Sequence, residues 1–277
     1  MPFLVASGKL PFTGHGSMTR RRWIADEVSG DTAALLGDHA AHLARVLRAE
    51  IGQEFDIATG SEVRRGTITA ITEDRVQFAL RQDQAFDPTP RKSVPEITLA
   101  LAIFKFDRME WALEKCTEIG VSRVIPLIAR RSDAHLVAAV AKRHERWRRI
   151  VRQAAEQSRR PAPPEIAAPV KLQDLALQHL AGDRAPAGSA LTRIVLSESL
   201  AGSAEAARLV EILQPPSESR SIERDVVLAV GPEGGWADEE LAWFRGSGWL
   251  AASLGDTILR AETAAIVATA LAIEARR

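Results

Sequence analysis

Three short segments set polar or glycine-rich turns directly after apolar runs. In VVLAVGPEGGWADEEL (226–241) the run 226–230 enters Gly231, Pro232, Glu233, Gly234 and Gly235, and a helical pattern begins a few residues later. Glycines in such a turn let backbone N–H and C=O groups approach a ligand closely. In SLGDTILRAETAAIVATALAIEA (253–275) a second run reaches Leu254 and Gly255. A loop then delivers Ile258, Leu259, Arg260, Glu262 and Thr263 to the start of an alanine-rich helix. Arg260 offers a permanent cation, and Glu262 suits either a helix cap or a chemical role. The third turn is Leu196, Ser197, Glu198 and Ser199. Open α/β sheets bind small molecules at the carboxyl ends of their strands, so the three turns predict one site. It is neither a phosphate loop, lacking a Gly-Lys-Ser/Thr ending, nor a dinucleotide fingerprint, lacking the G-x-G-x-x-G spacing.

The elements that must position those turns follow from periodicity. Continuous apolar runs at 97–104, 123–128, 193–198, 226–231 and 249–255 read as strands buried on both faces. Helical patterns lie between them, at 108–120 ending on Gly120 and at about 142–157 before Pro161, Pro163 and Pro164. Strands alternating with helices predict a parallel α/β sheet over residues 94–277. The earlier chain, 19–88, reads differently: WIADEV (23–28), EFDIATG, VRRGTITAI and RVQFAL are short strands, which predict a small β-barrel. GDHAAHLARVLR (37–48) reads as its one helix, with Asp38 as N-cap and Leu43, Val46 and Leu47 on one face. FDPTPRKSVP (86–95) reads as a linker, and residues 1–18 as an expression leader with Met18 as the native start.

Composition narrows the classes further. With 46% apolar and 26% charged residues over 277 positions, the chain is neither disordered nor fibrous, and no apolar run approaches the roughly 20 residues of a membrane span. One cysteine, Cys116, allows no internal disulfide and points to the reducing cytoplasm; six scattered His give no metal-ligand spacing, so no metal is expected. Zero net charge conceals +5 over residues 94–165 and −5 over 166–277. Between 142 and 160, Lys142, Arg143, Arg146, Arg148, Arg149, Arg152, Arg159 and Arg160 face only Glu145 and Glu156. Such a stretch can meet phosphates or simply be a solvated helix face.

The pair GPEGG and LGDTILRAETAA resembles the RsmE family of SPOUT methyltransferases. The likeness runs from Arg20 to the C-terminus, through the segment 42–48 ending Val46-Leu47-Arg48, then KFDRMEWALEKCTEIGV (105–121), PLIARRS (126–132) and AAEQSRR (154–160). The resemblance implies methyl transfer from S-adenosyl-L-methionine to N3 of a uridine in 16S ribosomal RNA. It also implies an N-terminal PUA-like barrel, a C-terminal SPOUT α/β domain with a trefoil knot, and a homodimer built on that domain. By matching position, the cofactor residues are Leu196, Ser197, Glu198, Gly231, Pro232, Glu233, Gly234, Gly235, Leu254, Gly255, Ile258, Leu259 and Thr263. Two positions depart from the family pattern: Ala237 stands where a capping Ser is common, and Thr257 where Arg is frequent.

Uridine N3 carries a proton at neutral pH, so attack requires losing it. Arg260 is the expected donor to charge developing on the uracil oxygens, and Glu262 either orients Arg260 or takes the proton. For docking ribosomal RNA or the small subunit, the expected cations are Arg20, Arg21, Arg22, Arg45, Arg48, Lys105, Arg108, Arg159 and Arg160. Trp236, beside the glycine loop, is the tryptophan best placed to stack on a base. Two rivals remain: a knotted ribose 2′-O-methyltransferase and a non-catalytic RNA-binding protein.

Overall fold

A computed structural model describes residues 22–60, 62–85, 96–175, 191–197, 207–214 and 225–275. The expectations for residues 1–18, Arg20, Arg21, the segment 86–95, Glu198 and Ser199 therefore fall outside the described residues.

The N-terminal part is a six-stranded sheet of β1 (Trp23–Ile24), β2 (Glu27–Ser29), β3 (Thr32–Leu36), β4 (Glu54–Ala58), β5 (Val63–Ile71) and β6 (Arg75–Ala85), in the order β1-β4-β5-β6-β3-β2. β1 lies parallel to β4 and the other pairs are antiparallel. The expected strand 23–28 is two strands, because the chain changes partner midway. Ala25 N–H donates to Ala58 O on β4, and the next residue, Asp26, donates to Ala34 O on β3. That two-residue step brings the two edges of the sheet together and curls it around Trp23, Leu35, Phe55, Ile57, Ile68, Val76 and Phe78. β3 had no counterpart among the expected strands.

The helix expected over 37–48 is shorter and differently capped. α1 (Gly37–Ala41) has Leu36 at its cap position, so Asp38 lies inside the first turn and is not the N-cap. A π-turn, His42–Val46, follows and ends with Leu47 N–H donating to His42 O, five residues back. The wider turn shifts the side-chain register. Leu43 stays buried while Val46 and Leu47 turn out to solvent, against the expectation of one shared face.

The second part is an eight-stranded, wholly parallel sheet. Its elements run β7 (Ile97–Ala102), α2 (Phe106–Ile119), β8 (Arg123–Ile128), α3 (Ala134–Gln157), β9 (Glu165–Ile166), β10 (Val170–Lys171) and α4 (Leu172–Leu175). They continue with β11 (Leu191–Leu196), β12 (Ala207–Arg208), α5 (Leu209–Leu213), β13 (Asp225–Val230), α6 (Asp238–Gly246), β14 (Leu250–Ser253) and α7 (Ala261–Glu274). The order is β10-β8-β7-β13-β11-β14-β12, with β9 beside β8. Along β7, Leu99 and Leu101 pack toward α2, α3 and α7, while Ala100 and Ala102 face Trp236, Phe244 and Trp249. Burial on both faces is why this strand reads as one unbroken apolar run. α3 starts eight residues before the expected basic stretch, capped by the Asp133 carboxylate accepting from His135 N–H at 2.7 Å.

The two parts meet along the end of α3. Glu156 is fully buried, with Oε1 3.5 Å from the Ile24 N–H, and Arg152 donates to Ile24 O (2.5 Å) and to Asp26 Oδ1 (2.6 Å). The Arg22 guanidinium donates to Arg159 O, and Arg160 to Thr117 O at 2.8 Å. Burial pushes the Arg160 guanidinium down to about 10, still charged at neutral pH. The basic run is thus partly spent inside the fold. Arg143 and Arg146 pair with Glu110, and Arg152 with Asp26.

Candidate functional site

β13, β11 and β14 are neighbours in the sheet, so parallel pairing alone brings their carboxyl ends, and the three turns, together. A cavity of 420 Å³ opens there. It is lined by Leu196 and Ser197, by Val230 through Trp236, and by Ala252 through Ala261, with Arg108, Arg131 and Ala264.

Each turn is fixed by contacts its sequence makes possible. The glycine loop closes with Gly235 N–H donating to Pro232 O (2.8 Å), and Gly235 takes φ 68, which favours glycine. A Cβ on Gly231 would lie 3.1 Å from the Trp236 indole, so this strand end and that ring approach only because the residue is glycine. Trp236 is buried, and its Nε1–H donates to Leu196 O at 2.9 Å, tying the glycine loop to the end of β11. Its ring meets Phe244 edge-on at 4.9 Å and the residue is 5% exposed, which leaves little surface for the stacking expected of it. Ser197 N–H donates to Ala252 O (3.1 Å), joining the second turn to β14.

Ala237, at the cap of α6, has no side-chain acceptor, and Glu240 supplies one from three residues on. Its Oε2 accepts from Ala237 N–H and its Oε1 from Arg130 N–H, both at 2.8 Å. The same buried carboxylate thus holds the start of α6 to the loop after β8. From that loop Arg131 donates to Gly234 O (2.9 Å), and Ser132 Oγ–H donates to Ile103 O (2.9 Å).

In the third turn Gly255 takes φ 133, and Ile258 projects 80% exposed. Arg260 lies exposed at the cavity's edge and makes no ion pair with the described residues. Glu262 faces elsewhere: its side chain is 5% exposed, and its Oε1 lies 3.8 Å from Arg108 Nε. The expected link from Glu262 to Arg260 is absent among the described contacts, and Arg260, not Glu262, holds the cap position of α7. Arg108 itself donates to Glu233 Oε1 at 2.6 Å.

The structure therefore gathers Leu196, Ser197, Gly231, Pro232, Glu233, Gly234, Gly235, Leu254, Gly255, Ile258, Leu259 and Arg260 around one cavity, with Thr263 just inside α7 and off its surface. Arg108, expected at an RNA phosphate, lines the same cavity. Lys105 is exposed ahead of α2. Arg45 pairs with Glu73 at 2.8 Å on the curled sheet, and Arg48 is exposed with φ 52. Arg22, Arg159 and Arg160 lie in the junction just described. Sequence reasoning passed over Arg131 and Glu240; each sits in a recognised motif or helix start, but its partner is over a hundred residues away. Among the described residues no group of His, Cys, Asp or Glu could hold a metal, and no helix is long and apolar enough to cross a membrane.

Residues 90–273 match the family model of an RNA methyltransferase domain. Ribosomal RNA small subunit methyltransferase E of Synechocystis is 31% identical over 247 residues, 88% of this chain and 74% of that protein. The Mycobacterium tuberculosis protein of the same name is 31% identical over 242 residues, 87% of this chain and 85% of its own. Among solved structures, the Neisseria gonorrhoeae ribosomal RNA small subunit methyltransferase E bound to S-adenosyl methionine superposes with a TM-score of 0.70 at 28% identity, covering 90% of this chain and 95% of that one. A Legionella pneumophila protein solved with the bound cofactor SAM gives 0.70 at 30% identity, covering 91% and 95%.

Proposed function

The chain belongs to the RNA methyltransferase family, with ribosomal RNA small subunit methyltransferase E, and on that premise we propose that it methylates N3 of a uridine in 16S ribosomal RNA. It is an S-adenosylmethionine-dependent enzyme. The observation that carries this reading is the single cavity at the ends of β13, β11 and β14, whose lining suits that cofactor. Its volume lies in the usual range for small-molecule sites. Apolar Leu196, Ile258 and Leu259 suit the faces of an adenine, the glycine loop offers backbone groups to polar edges, and Glu233 offers an anion to a cationic ligand.

When held by these turns, S-adenosylmethionine would supply an electrophilic methyl on a positive sulfonium, to be taken by deprotonated N3 with a neutral thioether as the leaving group. The chain's own work is alignment, exclusion of water and charge placement. Trp236 ties the glycine loop to the end of β11, Ser197 ties the second turn to β14, and Arg131 ties the glycine loop to the loop after β8, which fixes those walls before any ligand enters. Arg260 is placed to donate to the uracil oxygens as N3 loses its proton. The curled sheet serves as a PUA-like RNA-binding barrel, presenting Arg45 and Arg48, with Lys105 as a further RNA contact. We take the C-terminal domain to be trefoil-knotted and homodimeric, and the enzyme to work in the cytoplasm.

The test is nucleoside mass analysis of 16S RNA and of small subunits after incubation with protein and labelled S-adenosylmethionine. N3-methyluridine is expected, and Arg260→Ala should slow its formation while cofactor still binds. A ribose-methylated nucleoside would establish the 2′-hydroxyl rival. Calorimetric titration of wild type and Gly234→Trp with S-adenosylmethionine completes it: binding abolished by the bulky side chain supports the glycine-loop site. No binding by folded wild type would favour a non-catalytic RNA-binding protein.

A further inference from the structure

The charged side chains of Arg108 and Glu233 line the cavity, and that of Glu262 lies behind Arg108; the proposed function gives a place only to Glu233. Arg108, on the first turn of α2, comes from a different part of the sheet than the three cofactor turns. Glu262 is almost wholly buried behind it, with Oε1 at 3.8 Å, beyond hydrogen-bond reach, and Oε2 without a hydrogen-bond partner among the described residues. Glu233, half-exposed on the glycine loop, takes one hydrogen bond from Arg108 Nη1. A guanidinium has five N–H donors, so Arg108 keeps donors free toward the cavity it lines. A carboxylate buried with one oxygen unsatisfied is costly, and it persists where it serves a charge beside it.

We propose that Arg108 is a second substrate-facing cation, meeting the uracil oxygens as the N3 proton leaves to water, and that buried Glu262 is the positioning residue that aims it. Arg108 is then a catalytic residue and not a general phosphate contact. Glu262 acts through Arg108 alone: it is absent from the cavity lining, and Arg108 is the cation it faces. Arg260, exposed on the turn before α7 and without an ion pair among the described residues, also lines the cavity. The inference rests on the uridine-methylation reading and adds which side chains recognise the substrate's developing charge.

The experiment is single-turnover methyl transfer at saturating RNA for wild type, Arg108→Ala, Arg108→Lys, Glu262→Gln and the double variant Arg108→Ala/Glu262→Gln, with cofactor titration and thermal melts of each. Arg108→Ala should slow transfer by about 10²-fold, as removal of one preorganised donor does, with cofactor affinity unchanged. Its melting temperature should fall, because the buried Glu262 carboxylate loses the cation beside it, and the double variant should recover part of that loss. The Arg108→Ala rate should keep climbing at alkaline pH, where uracil ionises without help. Glu262→Gln should cost about tenfold, as loss of a supporting contact does, and the double variant should be no slower than Arg108→Ala alone. Arg108→Ala that weakens RNA affinity and flattens its salt dependence, but transfers at the wild-type rate once saturated, would make Arg108 a phosphate contact and overturn the proposal. Lost cofactor binding, or a double variant that melts no higher than Arg108→Ala, would overturn it in favour of a structural clamp on the glycine loop. A folded wild type that methylates no RNA would bring down the methylation reading itself, and this inference with it.

Discussion

Replacing Glu240 by Gln tests whether one carboxylate sets the geometry of the glycine loop. Its two oxygens each accept a backbone N–H at 2.8 Å, from Ala237 at the start of α6 and from Arg130 after β8, and the residue is 8% exposed. A glutamine keeps one accepting oxygen and must turn its NH₂ toward the second N–H. One charge-assisted hydrogen bond is lost and one buried donor is orphaned, two descriptions of a single loss of about 2–3 kcal/mol. At 2–4 °C per kcal/mol for a domain of this size, the melting temperature should fall by about 4–12 °C. The assay is a thermal melt of both proteins beside Glu239→Gln, whose exposed carboxylate reaches Arg130 only at 4.0 Å and whose loss should stay within about 0.5 kcal/mol. Cofactor affinity should also drop in Glu240→Gln, because Arg130 and Arg131 are consecutive and Arg131 holds Gly234. If Glu240→Gln melts with the wild type, α6 does not depend on this cap and the reasoning is refuted.

Other outcomes follow from the same contacts. Burial would raise the Asp26 carboxyl, but hydrogen bonds from His39 and the Leu36 N–H, with the charge of Arg152, outweigh it and hold it below its usual range. A carboxyl lowered on folding stabilises the native state above its ordinary value, and that contribution vanishes as pH falls through the native one. Melting temperature against pH should therefore fall more steeply on acidification for wild type than for Asp26→Asn, which should be the less stable at neutral pH; parallel curves would exclude the effect. The Cys116 thiol, pushed up to about 12 by burial, should resist a thiol reagent at neutral pH until denaturant opens α2 from α7. Fast labelling of native protein would contradict the packing. Gly255→Ala puts a Cβ on backbone at φ 133, at a cost of about 1–3 kcal/mol, and calorimetry should show weaker cofactor binding. Unchanged binding would mean that the turn can relax.

The strand-end turns were legible because each ends a long apolar run, and parallel pairing places such ends side by side whatever the connections. β3 was not legible, since TAALL is short, has little alternation, and lies between β2, a three-residue strand just before it, and β6, about forty residues on. Asp38 failed as a cap because the helix starts at Gly37, two residues ahead of the start that an Asp38 cap would set. Val46 and Leu47 carry the right residue types, but helical periodicity assumes 3.6 residues per turn, and the π-turn breaks it between them and Leu43. Arg108 reads in the sequence as an RNA-docking cation; what holds it at the cavity is Glu233, 125 positions away. The segment AAEQSRR, recognisable as a motif, gave no hint that it fastens the N-terminal sheet.

That fastening has a consequence for biosynthesis. β1 is held by Glu156 and Arg152, and Ile24 and Glu156 are 132 positions apart. At the usual 5–20 residues per second, a ribosome needs roughly 7–26 seconds to make the intervening chain. Until then the curled sheet can form its own hairpins and bury Trp23, while its first strand lacks the clasp to α3 and Ile24 lacks the cover of Ala155. Nascent chains halted before the end of α3 should leave this strand frayed and open to protease or chaperone, and those carried past it should close the clasp and become resistant.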